Sequence, residues 1–349
     1  MLTLSAGEAW ASSDLTSSRL STSTVSGKDP RRVAGAADRR SLGRTGLRVS
    51  PVCIGTSPLA SMSALYGYEV PRDRAEATIL AALRSPFNFM DTSNNYGGGS
   101  AEVRIGQALA VADGLPAGFV LATKVDADPV TGDFSGERVR RSVAESLTRL
   151  GLDRVQLMYL HDPEYHLTFA EAMAAGGPVR ALMELRQEGV VAHLGIAGGP
   201  VQLMRDFVAT GEFDVVLNHN RFTLVDRSAG PLLDEAAQRG VAFINGAPYG
   251  GGILAKGPDV QPKYAYRPAS EALVASVRAM RRACLARGVS LTAAALQFSV
   301  REPHVTSTVV GVSEPERIGE ITALMNEQIP DDLWAELDSL APGPESWLN

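Results

Sequence analysis

The chain has little cysteine, no surplus of positive charge and no long apolar run, and each shortage removes a class of function. Cys53 and Cys284 are the only cysteines in 349 residues. Both lie in apolar or helical patterns without metal-ligand spacing, so reduced thiols and a cytoplasmic setting are expected rather than a disulfide framework. Lys and Arg number 33 against 39 Asp and Glu, a net charge of −6, which leaves no basic footprint for nucleic acid. No apolar stretch reaches the roughly 18 residues of a bilayer span, so no membrane partner is expected. No GxGxxG follows the first strand-like run, which removes the fingerprint of an open dinucleotide-binding sheet, and no HxH motif marks a metal centre.

What is present is a Ser/Thr-rich beginning and then a regular alternation. Residues 1–38, with runs such as SSDLTSSRLSTSTVSGKD, read as a disordered extension. They hold no signal-peptide pattern, and Glu8, Asp14 and Asp29 dilute the basic character of a transit peptide. Residues 39–349 read as one domain, because 45% apolar content supports a large core and α/β barrels run to 250 residues or more. Eight β-rich runs, PVCIGT, FNFMD, FVLATK, RVQLMYL, HLGIA, DVVLN, VAFIN and STVVGV, alternate with helical patterns such as RVRRSVAESLTRLG and PLLDEAAQRG. Eight βα units close as an α/β (β/α)8 TIM barrel, with SLGRTGLRV as an N-terminal β-hairpin cap.

The ends of the second, third and fourth strands carry the chemistry. Asp91 ends FNFMD, Tyr96 follows five positions later, Lys124 ends FVLATK and His161 follows RVQLMYL. A barrel brings strand C-termini to one rim. A phenol near its ordinary pKa of about 10 is a poor base at neutral pH. An ammonium such as Lys124 beside it would lower that value, Asp91 would hold the ammonium charged, and His161 would orient a carbonyl or hydroxyl oxygen. This is a device for moving a proton in step with a hydride. The run NGAPYGGGIL after strand seven and the helix opening at GVSEPERIGE after strand eight offer backbone amides to a phosphate.

The segments SLGRTGLRVSPVCIGT, FMDTSNNYG, VLATK, YLHDPEY, GGGIL and SEPERIGE resemble the landmarks of the aldo-keto reductases, in that family's order, over roughly residues 39 to 340. YLHDPEY, RFTLVDR and AALQFSV resemble its sugar 1-dehydrogenase branch, which acts on L-fucose, D-threo-aldoses or galactose-type sugars and includes pyridoxal 4-dehydrogenase. The resemblance implies Asp91, Tyr96, Lys124 and His161 as the catalytic set. It also implies a nicotinamide cofactor, NAD or NADP, held along the rim by Thr56, His219, Gly246, Ala247, Tyr249, Gly250, Gly251, Gly311, Ser313, Arg317 and Glu320. The chain departs from the common pattern in three places. Ala197 and Gly198 replace a Ser-Asn clamp on the carboxamide, His219 stands where many members have Gln, and Gly246 stands where many stack a Tyr. Tyr249 or Phe222 would have to supply the ring. Arg317 would meet a 2′-phosphate, but Gly311, Val312 and Ser313 lack the cation common in NADP-preferring members, so dual use or a lean toward NAD is expected.

The expected activity is hydride transfer between that cofactor and an aldose anomeric carbon or another carbonyl/alcohol pair, with Tyr96 as general acid/base. The partner is a small-molecule substrate, met by loop residues that include Tyr66, Tyr68, Tyr165 and His166; monomer and dimer stay equally open. Three rivals use the same residues differently: a Schiff-base aldolase on Lys124, a metal-dependent hydrolase on His161, His219 and Asp91, and a slow cofactor-sensing subunit.

Overall fold

A computed structural model describes residues 35–348; the expectation for the Ser/Thr-rich beginning falls outside that range up to residue 34. The described chain opens four residues ahead of the expected boundary. A turn there is closed by the Gly35 amide donating to Asp38 Oδ2 at 2.9 Å, with Ala36 buried against the barrel.

Eight parallel strands close into a barrel: β1 (Val52–Gly55), β2 (Phe89–Asp91), β3 (Val120–Val125), β4 (Val155–His161), β5 (Val191–Gly198), β6 (Val215–His219), β7 (Ala242–Gly246) and β8 (Val305–Gly311), with β8 pairing back onto β1. Every one of the eight apolar runs forms a wall strand. Most of their residues are buried on both faces, as parallel strands under a ring of helices must be. The hairpin Arg40–Ser41 with Arg48–Val49 closes the amino-terminal end, where Leu42 and Val49 plug an interior layer of Cys53, Phe89, Val120, Leu157, Tyr159, Val215 and Ile244.

Between strands run α1 (Arg72–Leu83), α2 (Ser100–Val111), α3 (Gly136–Leu150), α4 (Pro178–Gln187), α5 (Val201–Ala209) and α6 (Gly230–Gln238). α7 (Glu271–Ala286) and α8 (Leu291–Val300) follow β7, and α9 (Glu316–Asn326) and α10 (Asp331–Ser339) follow β8. The α3 helix shows why such segments form here. Ser135 caps its first turn by accepting from the Arg138 amide, Gly151 ends it at φ 68°, and Val139, Val143 and Leu150 form its buried stripe. A second core of α7, α8 and α10 side chains lies over Leu224, Val225, Ile253 and Leu254. No single helix among the described residues is long and apolar enough to cross a membrane.

Candidate active site

The β2 and β3 strands stand in register, Asp91 beside Ala122, and Asp91 and Lys124 meet inside the rim. The ammonium is only 1% exposed and the carboxylate 4%. Lys124 Nζ donates to Asp91 Oδ1 at 2.6 Å, to the Thr92 carbonyl at 2.6 Å and to the Tyr96 hydroxyl at 3.0 Å. Three acceptors for three protons leave this ammonium fully used. The Tyr96 ring lies under Nζ at 4.5 Å and edge-on to the His161 ring at 5.9 Å, so the four expected side chains do converge.

The loop that delivers Tyr96 is held from behind. Asn94 donates to the Ser142 carbonyl at 3.1 Å and accepts from Arg138 at 3.2 Å, while Arg149 donates to the Asn94 carbonyl at 2.9 Å. Gly97 then turns the chain at φ 60°, where a Cβ would fall 2.4 Å from the Ala60 carbonyl oxygen; the turn into α2 requires glycine there.

Three acidic residues not singled out from the sequence complete the site. Asp126, just past β3, approaches His161 Nδ1 at 2.6 Å and accepts from Ser93 at 2.5 Å and from the Asn95 amide at 3.0 Å. Asp162 lies 3.7 Å from His161 Nε2 and 3.7 Å from His219 Nε2. Glu164 accepts from the Gly199 amide at 2.7 Å. A Cβ at Gly198 would come within 2.8 Å of Glu164 Oε2, so the missing side chain after β5 makes room for this carboxylate. The signal lies in YLHDPEY, which places two acids within three residues of the strand-end histidine.

Burial and these charges together set the protonation states. Burial pushes the Tyr96 phenol well above its ordinary value, and Asp91, Asp162 and Asp126 push the same way. That reverses the downward tuning expected from Lys124: the phenol stands protonated. Burial alone would lower His161, but Asp162 and Asp126 outweigh it and raise the imidazole above its usual range. For Asp91 burial wins over Lys124 and the carboxyl is raised. Burial would also raise Asp162, but the two histidines hold it far below the usual carboxylate range.

The other expected contacts divide. His219 and Gly246 are neighbours at the ends of β6 and β7, and a Cβ at Gly246 would sit 3.1 Å from that of His219. Ala247, at φ 55°, starts the turn that leads to Tyr249. The Tyr249 hydroxyl is buried without a hydrogen-bond partner, and burial raises the phenol well above its ordinary value while the Arg317 charge works against that. Phe222 is instead a core residue stacked on Phe298 at 5.1 Å, so it supplies no free ring. Thr56 is spent on the wall, its hydroxyl donating to the Asp91 carbonyl at 2.9 Å. In the glycine run, the amides of Gly250 and Gly252 close turns onto Ala247 and Tyr249, so two of the three expected donors are occupied; the Gly251 amide is the remaining one. Gly311 packs against Pro58 and Ser313 is half-buried beside it; Arg317 and Glu320 pair with each other at 2.5 Å. Around the rim, Tyr66 donates to Ser57 at 2.8 Å and packs near exposed Tyr68, Tyr165 is 68% exposed, and His166 meets Phe134 edge to face. Asp91 is bound to Lys124 rather than grouped with the histidines. The atoms closest to metal-ligand spacing among the described residues are those of Asp162, Glu164 and His219, within 4.8 Å of one another.

Residues 51–342 match the family model described as the aldo/keto reductase family. The chain belongs to the aldo/keto reductase family. It is 35% identical to L-galactose dehydrogenase of Arabidopsis thaliana over 82% of this chain and 88% of that one. It is 30% identical to pyridoxal 4-dehydrogenase of Microbacterium luteolum, covering 87% and 97%, and 31% identical to D-threo-aldose 1-dehydrogenase of a Pseudomonas species, covering 76% and 87%. These relatives are those of the expected sugar dehydrogenase branch. The holo form of an aldo-keto reductase from Bacillus halodurans superimposes with a TM-score of 0.70 at 21% identity, covering 87% of this chain and 96% of that one, and shares the fold. Membership makes the chain an NAD(P)-dependent oxidoreductase.

Proposed function

We propose that this oxidoreductase is an aldose 1-dehydrogenase, with Tyr96 as its general acid/base. The observation that supports it best is the triple engagement of Lys124 by Asp91, Thr92 and Tyr96, which fixes a phenol oxygen on the rim with a buried cation behind it. That engagement also argues against the aldolase reading, since a Schiff-base lysine needs a free amine lone pair.

The rim suits a dinucleotide. Glu164 Oε2, unpartnered beside Gly198, is an acceptor for the carboxamide amine where the usual clamp is missing; His219 is its neighbour across Asp162. Tyr249, Gly251 and Arg317 would hold the remainder. When bound, the nicotinamide accepts or returns the hydride at C4. Arg317 is already engaged by Glu320, which favours a 2′-hydroxyl over a 2′-phosphate and so NAD over NADP.

For the substrate, His161 hydrogen-bonds the anomeric oxygen. Asp162 faces histidine nitrogens at 3.7 Å from both oxygens, longer than a hydrogen bond, so its carboxylate can still accept from a sugar hydroxyl, a donor that a simple ketone lacks. In oxidation, Tyr96 as phenolate takes the anomeric O–H proton while the hydride departs from the same carbon, leaving a lactone; in reduction the phenol returns the proton.

The test is absorbance at the reduced-nicotinamide band with NAD or NADP and L-galactose, L-fucose, D-arabinose, D-galactose and pyridoxal. Cofactor reduction with an aldose and not with pyridoxal is expected. Reduction with pyridoxal alone, or with none of the five, would overturn the substrate reading.

A further inference from the structure

Directly beneath the rim lies a second phenol that the reaction as described does not use. Tyr159 is the register partner of Lys124 across β3 and β4, fully buried, with its ring in the barrel interior. Its other register partner is Gly195 on β5, and a Cβ there would fall 2.3 Å from the ring. The wall has given up a side chain to seat this ring. Phenylalanine would fill the same space without a hydroxyl, yet the Tyr159 hydroxyl is buried with no hydrogen-bond partner. Such a group is costly unless something satisfies it.

The nearby group with the matching deficiency is Asp91. Lys124 engages its Oδ1, whereas Oδ2 is buried and unpartnered. Asp91 is also the charge that acts most strongly on the Tyr159 phenol, with Cys53 second. One side therefore has an unused donor and the other an unused acceptor. A single enclosed water satisfies both, since it accepts from one and donates to the other.

We propose that Tyr159 is a positioning residue: through one enclosed water its hydroxyl hydrogen-bonds Asp91 Oδ2, keeping Asp91 ionised and paired with Lys124 beneath Tyr96. Asp91 is faced by Lys124 from β3, Asp126 from the end of that strand, His161 and Tyr159 from β4, the Cys53 thiol from β1 and the Tyr96 phenol from the following loop. Burial holds Cys53 as a neutral thiol, so it adds no charge at neutral pH. Of the two phenol oxygens among these groups, that of Tyr96 accepts from Lys124 and that of Tyr159 has no hydrogen-bond partner.

The kinetic arm of the test rests on the dehydrogenase reading; the crystallographic arm does not. In a crystal structure of the unmodified protein fine enough to place ordered waters, density is expected within hydrogen-bond distance of both Tyr159 Oη and Asp91 Oδ2. An empty gap there overturns the proposal. In Tyr159→Phe, the acid limb of the kcat/KM profile should move to higher pH by about one unit, a tenfold change in proton concentration, as expected for losing one hydrogen bond to a carboxylate. A merely structural tyrosine would change Tm and leave that limb in place, and an unmoved limb counts against the proposal. Asp91→Asn, which has no carboxyl to titrate, should lack that limb, and adding Tyr159→Phe to it should leave the pH profile unchanged. If no sugar is turned over, the substrate reading fails and the crystallographic arm alone decides this one.

Discussion

The two ends of the barrel treat polar groups in opposite ways. At the amino-terminal end Arg44 pairs with Asp214 at 2.8 Å, and Asp214 Oδ2 in turn accepts from the Leu194 amide. Asn88 there accepts from the Ser50 amide and donates to the carbonyls of Arg48 and Gly118. At the carboxyl-terminal end Asp91 Oδ2, Asp162 Oδ1, Glu164 Oε2, Asn220 Oδ1 and the Tyr249 hydroxyl are all buried without a hydrogen bond from the chain. Native proteins satisfy nearly all such groups. One end is thus closed by its own hydrogen bonds, whereas the other keeps acceptors and a hydroxyl that its own chain leaves unused. The sheet is continuous between them, so stability and chemistry can be altered separately.

The largest expected effect tests the rim. Tyr96→Phe keeps the ring and removes the proton carrier, so turnover should fall by about 10² to 10⁴-fold, the usual contribution of a positioned acid/base. Cofactor affinity and Tm should stay close to wild type, because the hydroxyl's partner, Lys124, keeps two other acceptors. Steady-state rates together with a cofactor titration check this. A loss below tenfold would remove Tyr96 from the role proposed.

Next comes the pH dependence of the same group. Its pKa is raised by burial and by three carboxylates, so at neutral pH the phenolate that oxidation requires is a small minority. Oxidation should therefore quicken about tenfold per pH unit through the alkaline range, without levelling near the ordinary phenol value of about 10. Reduction uses the phenol and should stay flat over that range. The profile to measure is kcat/KM for the cofactor, which reports groups of the free enzyme. A plateau at or below pH 10 would mean that Lys124 outweighs the carboxylates.

Legibility divides along the same line. The eight strands are readable because each is a short apolar run buried on both faces, and burial on both faces leaves no other pattern. The tetrad is readable because strand ends converge in a closed barrel, so linear order fixes neighbourhood. Asp126 is not readable, since an acid past a strand end looks the same whether solvated or placed against a histidine, and YLHDPEY puts Asp162 and Glu164 near His161 without showing which way they face. The direction of the Tyr96 shift escapes the sequence for a related reason. A sequence shows that Lys124 is present but not how deeply it is buried, nor that three carboxylates surround the phenol. Phe222 is equally hidden, because its stacking on Phe298 is a contact between distant segments.

The smallest effect on activity should come from the finished end, and it sharpens the contrast. Asn88→Ala removes one acceptor and two donor bonds that tie the Ser50 amide and the carbonyls of Arg48 and Gly118, the groups joining the hairpin to β2 and β3. The side chain is half-buried, so water can replace part of what is lost, and the expected cost is about 1–3 kcal/mol of stability. The chemistry sits at the opposite end of the strands, so kcat and KM should remain within about twofold, since distant sites act nearly independently. Chemical denaturation and kinetics on the same preparation measure both. A large fall in kcat with unchanged stability would show that strain crosses the barrel, and the separation of its two ends would fail.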